Sequence, residues 1–296
     1  MSKYNDVLSL WKSYKINAPS DLDVYLDNFR ILFAFNSGKI ENDNITYHDT
    51  REIFENGKIS SFSGDIRSLF EQSNQKLCYE FLKEKIVRKQ PLSIELIKDI
   101  HLILTSGTYD EHRFINNGER SGEFKKHDYV TGINEVGAAP EDVAFELQEL
   151  LDELNEHTGS DKLKLATYLH ARFEYIHPFA DGNERVGRTL LNYYLMINDH
   201  PPMIIYNEDK ADYYNALEKY DSEEELVPLY NFLKYEVEKT WSKQLELSLN
   251  INLKPKRQNL DELIQNAKKK SEQSQGNDSS IASKVSLNNK LCKCQK

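Results

Sequence analysis

Apolar residues recur every three to four positions through most of the chain up to about residue 250. This period is that of an α-helix buried along one face. In residues 20–35, Ser20 is a candidate N-cap, and apolar side chains follow it at helical spacing: Leu22, Tyr25, Phe29, Leu32 and Phe33. The same period, interrupted mostly by Gly, Asn, Asp or Pro, predicts helices over residues 68–87, 93–105, 141–156, 161–176, 183–198, 208–219 and 225–246. The sequence therefore predicts an all-α fold.

Residues 122–132, GEFKKHDYVTG, interrupt this pattern. Phe124, Tyr129 and Val130 lie between glycines and show little helical period. We predict a short β-hairpin or an extended flap at this position.

The last part of the chain has a different composition. From about Lys254 it is rich in Lys, Ser, Asn and Gln and contains no aromatic residue. Such a segment buries too little apolar surface to fold alone, so we expect disorder, apart from one short helix near residues 258–270. A net basic tail also makes the rest of the chain more acidic than the overall net charge of −10.

The charge and the hydropathy exclude several classes of function. A net charge of −10 argues against a general nucleic-acid-binding surface, which needs clustered Lys and Arg. No apolar run approaches the roughly 18–20 residues of a membrane span. The first residues, MSKYNDVLSLWKSYK, contain no apolar signal-peptide core. We therefore expect a cytoplasmic protein that does not associate with membranes.

The stretch HPFADGNERVGR, residues 177–188, concentrates chemically active side chains between two predicted helices. The first helix ends near His177 because Pro178 disfavours helical geometry in the residue before it. The second begins at about Asn183, and its free N–H groups and dipole attract an anion. Gly182 lets the backbone approach that anion closely.

The charged residues of this stretch suit a metal-bound polyphosphate. Arg185 and Arg188 are three positions apart and project from one helix face. Two guanidiniums beside a helix N-terminus can bind phosphates. Asp181 is a hard oxygen ligand for Mg²⁺, and His177 is a candidate general base. The simpler alternative is a capped helix–loop–helix with surface ion pairs.

The stretch resembles the signature of the Fic (filamentation induced by cAMP) family, H-x-F-x-[DE]-G-N-G-R-x-x-R. Glu184 departs from it, since the family has its second glycine there. The resemblance covers about residues 20–245 and includes HPPMIIYNEDKADYYNALEKYD, which is similar to the segment after the signature. It implies a Fic-fold helical bundle with a short β-hairpin flap. It also implies transfer of AMP from ATP to a Ser, Thr or Tyr hydroxyl of a target protein or of the enzyme itself, and a possible homodimer.

The resemblance assigns roles to the residues of the signature. His177 would deprotonate the target hydroxyl, and Asp181 would bind Mg²⁺ between the α- and β-phosphates. An anion hole would form from Gly182, Asn183 and the amides that follow, beginning with that of Glu184. Arg185 would hold the β-phosphate, and Arg188 the γ-phosphate.

Further positions are assigned by the same resemblance. Tyr213 and Tyr214 would lie near the adenine, with packing in the core as the alternative. The flap residues Tyr129, Val130 and Thr131 would align a target segment by strand addition.

A second motif, SGKIEN, spans residues 37–42. It resembles the inhibitory pattern [S/T]-x-x-x-E-[G/N] of the Fic class with an N-terminal inhibitory helix, and it marks Ser37 and Glu41. Glu41 would pair with Arg188 and block the γ-phosphate; in some relatives the same glutamate instead orients water to remove AMP. A surface Ser and a solvated Glu are the simpler alternative. We predict an N-terminal helical region with this motif at residues 1–60, a Fic core domain at 61–250 and the polar tail at 251–296.

Glu184 leaves the chemistry open. Pointing outward from the first helical turn, it would be harmless and would suit the helix dipole, and we favour a glutamate that points outward or is otherwise tolerated. Pointing inward, a like charge at about 4 Å costs roughly 1–4 kcal/mol and weakens the anion site by about one to three decades. A third alternative is that it helps to hold the metal. Relatives with lysine here resemble Doc-type toxins, which transfer phosphate. The alternatives are therefore AMP removal, phosphate transfer or a non-catalytic nucleotide-binding interaction module.

Overall fold

A computed structural model shows a helical bundle. It describes residues 3–253 except 43, 60–61, 63, 130–136, 158 and 160. The chain as a whole divides into two compact units, residues 1–244 and residues 245–296. The helices of the described residues are α1 (Lys3–Ser13), α2 (Pro19–Glu41), α3 (Tyr47–Asn56), α4 (Ile66–Val87), α5 (Ile94–Leu104), α6 (Glu111–Asn117), α7 (Val143–Glu156), α8 (Lys162–Ile176), α9 (Asn183–Ile197), α10 (Lys210–Glu223) and α11 (Leu226–Leu253). A 3₁₀ turn, Asn207–Asp209, precedes α10.

The all-α prediction is confirmed. Every helix predicted from the apolar period is present, with ends that differ by a few residues for most of them. The period did not reveal α1, α3 and α6, which have 11, 10 and 7 residues. The 10 and 7 residues of α3 and α6 give too short a repeat to stand out, but length does not explain the omission of α1, since α5 also has 11 residues and was predicted. Local chemistry marks α3 instead, because Thr46 and Asp49 form a capping box and Gly57 ends the helix with φ 68°.

The predicted cap of α2 is wrong. The helix begins at Pro19, after an extended Ala18, and Ser20 lies inside it. Oδ2 of Asp21 accepts hydrogen bonds from the backbone N–H of Asn17 and of Ala18, both at 2.8 Å. Proline is preorganised for the first helical position, and Asp21 satisfies donors that a cap would otherwise serve. At its other end α2 continues to Glu41, so the SGKIEN motif lies on its last turns.

The β-hairpin predicted for residues 122–132 is absent from the part of that segment that the structure describes. Residues 122–129 form turns and irregular backbone, and residues 130–132 lie outside the described residues. The backbone donates to other elements instead of to a partner strand. Gly122 N–H donates to Nδ1 of His101 at 2.8 Å, and Lys125 N–H donates to the carbonyl of Pro178 at 2.9 Å.

The predictions for the tail and for the domain boundaries remain predictions. Residues 254–296, with the expected helix near 258–270, lie outside the described residues. No helix of the described chain is both long and apolar enough to cross a bilayer.

Helix α9 lies in the middle of the core and packs against α8, α5, α4 and α2. Its apolar side chains are almost fully buried: Val186, Leu190, Leu191, Tyr193 and Leu195. Burial of each large side chain contributes about 1.5–3 kcal/mol. Arg185 and Arg188, at the N-terminal end of the same helix, are only 1% exposed. Because a buried charge is costly without partners, this end of α9 must be surrounded by polar groups.

Candidate active site

Two left-handed residues shape the loop between α8 and α9. His177 has φ 49°, and its N–H donates to the carbonyl of Phe173 at 3.1 Å to end α8. Gly182 has φ 80° and precedes α9. A Cβ on Gly182 would also lie 2.9 Å from Cγ2 of Thr105. Both the backbone conformation and the close approach therefore require glycine there.

A buried histidine on α5 holds the middle of the loop. The ring of His101 stacks on Phe179, with centroids 3.7 Å apart. Its Nε2 lies 3.0 Å from the carbonyl of Asp181, and its Nδ1 accepts the N–H of Gly122. Since Nδ1 is an acceptor, the proton belongs on Nε2. Burial lowers the pKa of His101 to about 4, which keeps this neutral form. The sequence analysis missed His101, a single histidine on an apolar helix.

The side chain of Asn183, at the start of α9, contacts both Phe179 and His177 at the other end of the loop. Its Oδ1 accepts the N–H of Phe179 at 2.9 Å, and its Nδ2 donates to the carbonyl of Phe179 at 2.7 Å. The same Nδ2 lies 3.1 Å from Nε2 of His177. Burial, reinforced by the positive charge of Lys125, lowers the pKa of His177 to about 4. His177 is thus a neutral imidazole at neutral pH and can accept a proton.

Arg188 binds the end of α2. Its Nε donates to Oγ of Ser37 at 3.0 Å, and its Nη2 donates to the carbonyl of Ser37 at 3.1 Å. The same Nη2 donates to Oε1 of Glu41 at 2.5 Å. The structure therefore contains the Glu41–Arg188 pair that the SGKIEN motif predicts, with Ser37 beside it.

Arg185 lies on the other side of the same carboxylate. Its Nε is 2.9 Å from Oε2 of Glu41, and its Nη1 is 3.3 Å from Oε1 of Glu71 on α4. Glu41 therefore bridges the two arginines. Nη2 of Arg185 is buried and has no hydrogen-bond acceptor among the described residues, although Oδ1 of Asp181 lies 3.9 Å away. It is thus a buried charged donor that an anion would satisfy.

Glu184 turns toward Arg188 with its side chain 34% exposed, so the outward placement is not observed, while its tolerance in the site stays a prediction. Its Oε2 accepts hydrogen bonds from Nη1 of Arg188 at 3.0 Å and from the hydroxyl of Tyr214 at 2.7 Å. Burial alone would raise the pKa of Glu184, but Arg188 and Tyr214 outweigh it and bring the pKa below its ordinary value. A buried guanidinium four residues further along the helix attracts the carboxylate more than the solvent does.

Asp181 lies at the mouth of the loop. Its Oδ2 accepts a hydrogen bond from Nη2 of Arg67 at 2.9 Å, and its side chain is 25% exposed. Burial would raise the pKa of Asp181, but Arg185 and Arg67 outweigh it, so the pKa is lowered and the carboxylate is ionised. The described residues contain no cluster of three or more His, Cys, Asp or Glu side chains suited to a metal. Mg²⁺ bound to a nucleotide often takes only one or two carboxylates, and Asp181 fits that role.

The two tyrosines of α10 have different surroundings. Tyr213 is fully buried, and its hydroxyl is 2.7 Å from Nε2 of His170. It packs in the core, as the alternative interpretation has it. Tyr214 is half-buried and faces the site through its hydrogen bond to Glu184.

The flap is tied to the loop through Tyr129. Its hydroxyl donates to Oε1 of the fully buried Glu119 at 3.0 Å, and its ring lies 5.3 Å from the guanidinium of Arg113. Nη1 of Arg113 donates to the carbonyl of Ala180 in the loop. Val130 and Thr131 lie outside the described residues.

Known proteins are similar to this chain over the region that contains the loop. Residues 91–195 match the model of the Fic/DOC family. Proteins named "Protein adenylyltransferase Fic" are similar to this chain. The one from Drosophila persimilis is 29% identical over 213 residues, which is 70% of this chain and 39% of the relative. The one from Drosophila melanogaster is 28% identical, over 70% of this chain and 40% of the relative. The chain thus spans about two fifths of the length of these relatives.

Solved structures give the same result for the fold. A Fic domain containing signaling protein from Bacteroides thetaiotaomicron has a TM-score of 0.70 and 26% identity, and the match covers 81% of this chain and 94% of that one. Fic-1 (aa134–508) from C. elegans has a TM-score of 0.69 over 83% of this chain and 71% of that one. At 22% identity, the second likeness concerns the fold alone.

Proposed function

We propose that this chain, whose residues 91–195 match the Fic/DOC family model, is a protein adenylyltransferase that uses ATP. The observation that carries the proposal is the start of α9, where the buried Arg185 and Arg188 lie in the same loop region as a neutral His177. Similarity to proteins named adenylyltransferases over 70% of the chain supports the same reaction.

The substrate would be the magnesium complex of ATP. The N-terminus of α9 supplies free backbone N–H groups, and Arg185 keeps a buried donor for a phosphate oxygen. Arg185 and Arg188 would bind the β- and γ-phosphates, and Asp181 would hold the Mg²⁺ that arrives with them. Tyr214, which is half-buried, would contact the rest of the nucleotide, rather than the fully buried Tyr213.

The chemistry is a transfer of AMP to a hydroxyl. His177 would take the proton of a Ser, Thr or Tyr hydroxyl of the target, and the hydroxyl oxygen would attack the α-phosphorus. The bond from the α-phosphorus to the oxygen shared with the β-phosphate would break, and pyrophosphate would leave. Asn183 would keep the His177 ring in position, because its amide lies within 3.2 Å of both ring nitrogens. The flap around Tyr129 would align the target segment.

Glu41 would hold the enzyme in an inhibited state. Its carboxylate occupies Arg188 and lies next to Arg185, so it competes with ATP phosphates for the same guanidiniums. Ser37 adds two acceptors to Arg188. Activity would require α2 to release Arg188.

Intact-mass spectrometry tests the proposal. The Glu41→Gly protein is incubated with ATP and Mg²⁺, and we expect it to gain one or more AMP units. The Glu41→Gly/His177→Ala protein should gain none. Lys39→Gly is the matched control, because it also loosens the last turns of α2 but keeps the carboxylate. Its gain of AMP should remain near that of the protein without any substitution. No AMP gain in the Glu41→Gly protein, with or without added cell lysate as a source of targets, contradicts the proposal.

Phosphate transfer is a second candidate function, and the position of Glu184 favours it. A carboxylate on Arg188 changes the charge where the γ-phosphate would bind. The same experiment separates the two reactions, because phosphate alone adds a smaller mass than AMP. A gain of phosphate without AMP would replace the first proposal with the second.

A further inference from the structure

Glu184 binds the arginine that the proposed function assigns to the γ-phosphate. We propose that Glu184 is a specificity-determining residue that weakens recognition of the terminal phosphate, so that the site distinguishes a nucleoside triphosphate from a diphosphate poorly even after Glu41 is released. The inference rests on the proposed function, since it requires Arg188 to be the ligand of that phosphate.

The two carboxylates on Arg188 come from different parts of the fold. Glu41 belongs to α2 and leaves Arg188 if α2 moves. Glu184 belongs to α9, four residues before Arg188 on the same helix. Neighbours at this spacing stay together as long as the helix is intact. Glu184 therefore remains on Arg188 whether or not α2 is displaced.

A third helix holds Glu184 in place. The hydroxyl of Tyr214 on α10 donates to the same Oε2 that accepts from Arg188. Lys210, also on α10, lies 5.7 Å from the Tyr214 ring and donates to the carbonyl of Ile40. The Lys210 contact links α10 to α2, but both hydrogen bonds to Glu184 come from groups outside α2, and neither uses Glu41.

The five N–H groups of Arg188 divide between two edges of the guanidinium. Ser37 and Glu41 use the edge formed by Nε and Nη2, while Glu184 uses Nη1. Release of α2 frees the first edge for a phosphate. The second edge keeps its carboxylate, and that negative charge opposes the phosphate across one planar group.

The weakening of nucleotide binding by the charge of Glu184 must depend on the terminal phosphate. A diphosphate leaves Arg188 without a phosphate partner, so the charge of Glu184 matters less for its binding. A triphosphate places charge on Arg188 and is repelled by Glu184 directly. Removal of the charge should therefore favour ATP over ADP by about ten-fold to a hundred-fold.

The test measures binding without turnover. MgATP and MgADP are titrated calorimetrically into the Glu41→Gly/His177→Ala protein and into the same protein with Glu184→Gln. Glutamine keeps the shape of the side chain and an acceptor for both hydrogen bonds but removes the charge. We expect the ratio of ATP to ADP affinity to rise about ten-fold to a hundred-fold. Tyr214→Phe removes one anchor of Glu184 and should change the ratio less.

Controls separate the inference from the proposed function. Glu218→Gln removes an exposed charge from α10 and should leave the ratio unchanged. If the parent protein binds ATP but Glu184→Gln raises the affinity for both nucleotides equally, or for neither, the inference is wrong and the proposed function stands. If none of the folded variants binds either nucleotide, the proposed function fails and the inference fails with it.

Discussion

Nη2 of Arg67 on α4 donates to Oδ2 of Asp181 in the loop, across 2.9 Å and a separation of 114 residues. Arg67 also donates from Nε to Glu71, which in turn lies beside Arg185. A cation from a separate helix thus occupies the carboxylate that we propose for Mg²⁺.

Replacement of Arg67 should therefore change the metal dependence of binding. Arg67→Gln removes a positive charge that attracts metal-free ATP, and it frees Asp181 for the metal of MgATP. We expect the ratio of MgATP affinity to metal-free ATP affinity to rise roughly two-fold to five-fold, as for a partly exposed ion pair. Calorimetry with Mg²⁺ or with EDTA, in the Glu41→Gly/His177→Ala protein, measures this ratio. Arg51→Gln, which breaks an exposed pair with Glu55, is the control. A fall in the ratio would mean that Arg67 supports the metal.

The low pKa of His177 predicts the pH dependence of transfer. Its pKa of about 4 means that the imidazole stays neutral from about pH 5.5 upward and is protonated only near pH 4. The rate of automodification of the Glu41→Gly protein should therefore vary little between about pH 5.5 and 7.5 on account of this group. Circular dichroism at each pH verifies that the protein remains folded. A rate that halves near pH 6.5, the ordinary histidine value, would contradict the prediction.

Two other buried histidines predict that acid destabilises the fold. Burial lowers the pKa of His101 to about 4 and that of His170 to about 3. In the unfolded chain both histidines have the ordinary pKa of about 6.5. Between about pH 6.5 and 4 the unfolded chain binds more protons, so stability falls as pH falls. Each histidine contributes up to about 1.4 kcal/mol per pH unit. Urea unfolding between pH 7 and 5 measures the slope. His101→Gln should reduce it, and an unchanged slope would exclude His101 as a source.

Tyr129→Phe tests the flap. The change removes the hydroxyl that donates to the buried Glu119 and leaves the ring beside Arg113. We expect about a ten-fold higher KM for a protein target, because a hydrogen bond to a charged group holds the flap, and an unchanged Kd for ATP. Tyr175→Phe, on the exposed side of α8, is the control. If the Kd for ATP rises as much as the KM for the target, Tyr129 supports the whole loop rather than target docking.

Gly187→Ala should destabilise the contact between α8 and α9. An added Cβ would overlap Oε1 of the buried Glu174 and lie 3.2 Å from Cδ1 of Phe173. Overpacking of this kind costs about 1–3 kcal/mol, which urea unfolding at neutral pH can detect. In Gly159→Ala the new Cβ would have no heavy atom of the described residues within 4 Å, so that variant should keep the stability of the parent. Equal stability of the two variants would show that α8 and α9 adjust without cost.

The sequence alone determined the helices and the content of the loop. Apolar periodicity located every long helix, and Pro178 with Gly182 located the turn between α8 and α9. Resemblance to a known family pointed to Glu41 as the partner of Arg188, which the structure places in contact. These features depend on residues a few positions apart or on motifs with fixed spacing, so a linear pattern contains them.

Only the tertiary structure decided which way Glu184 faces, which residues hold Asp181 and His101, and where the flap forms its hydrogen bonds. Each of these depends on groups brought together from separate helices, such as Arg67 and Asp181. A glutamate in the first turn of a helix suits the solvent and a buried guanidinium equally well when only its neighbours in sequence are known. The burial of Arg188 beside the end of α2 makes the direction toward Arg188 favourable for Glu184, because a buried charge is costly without an opposite charge in contact.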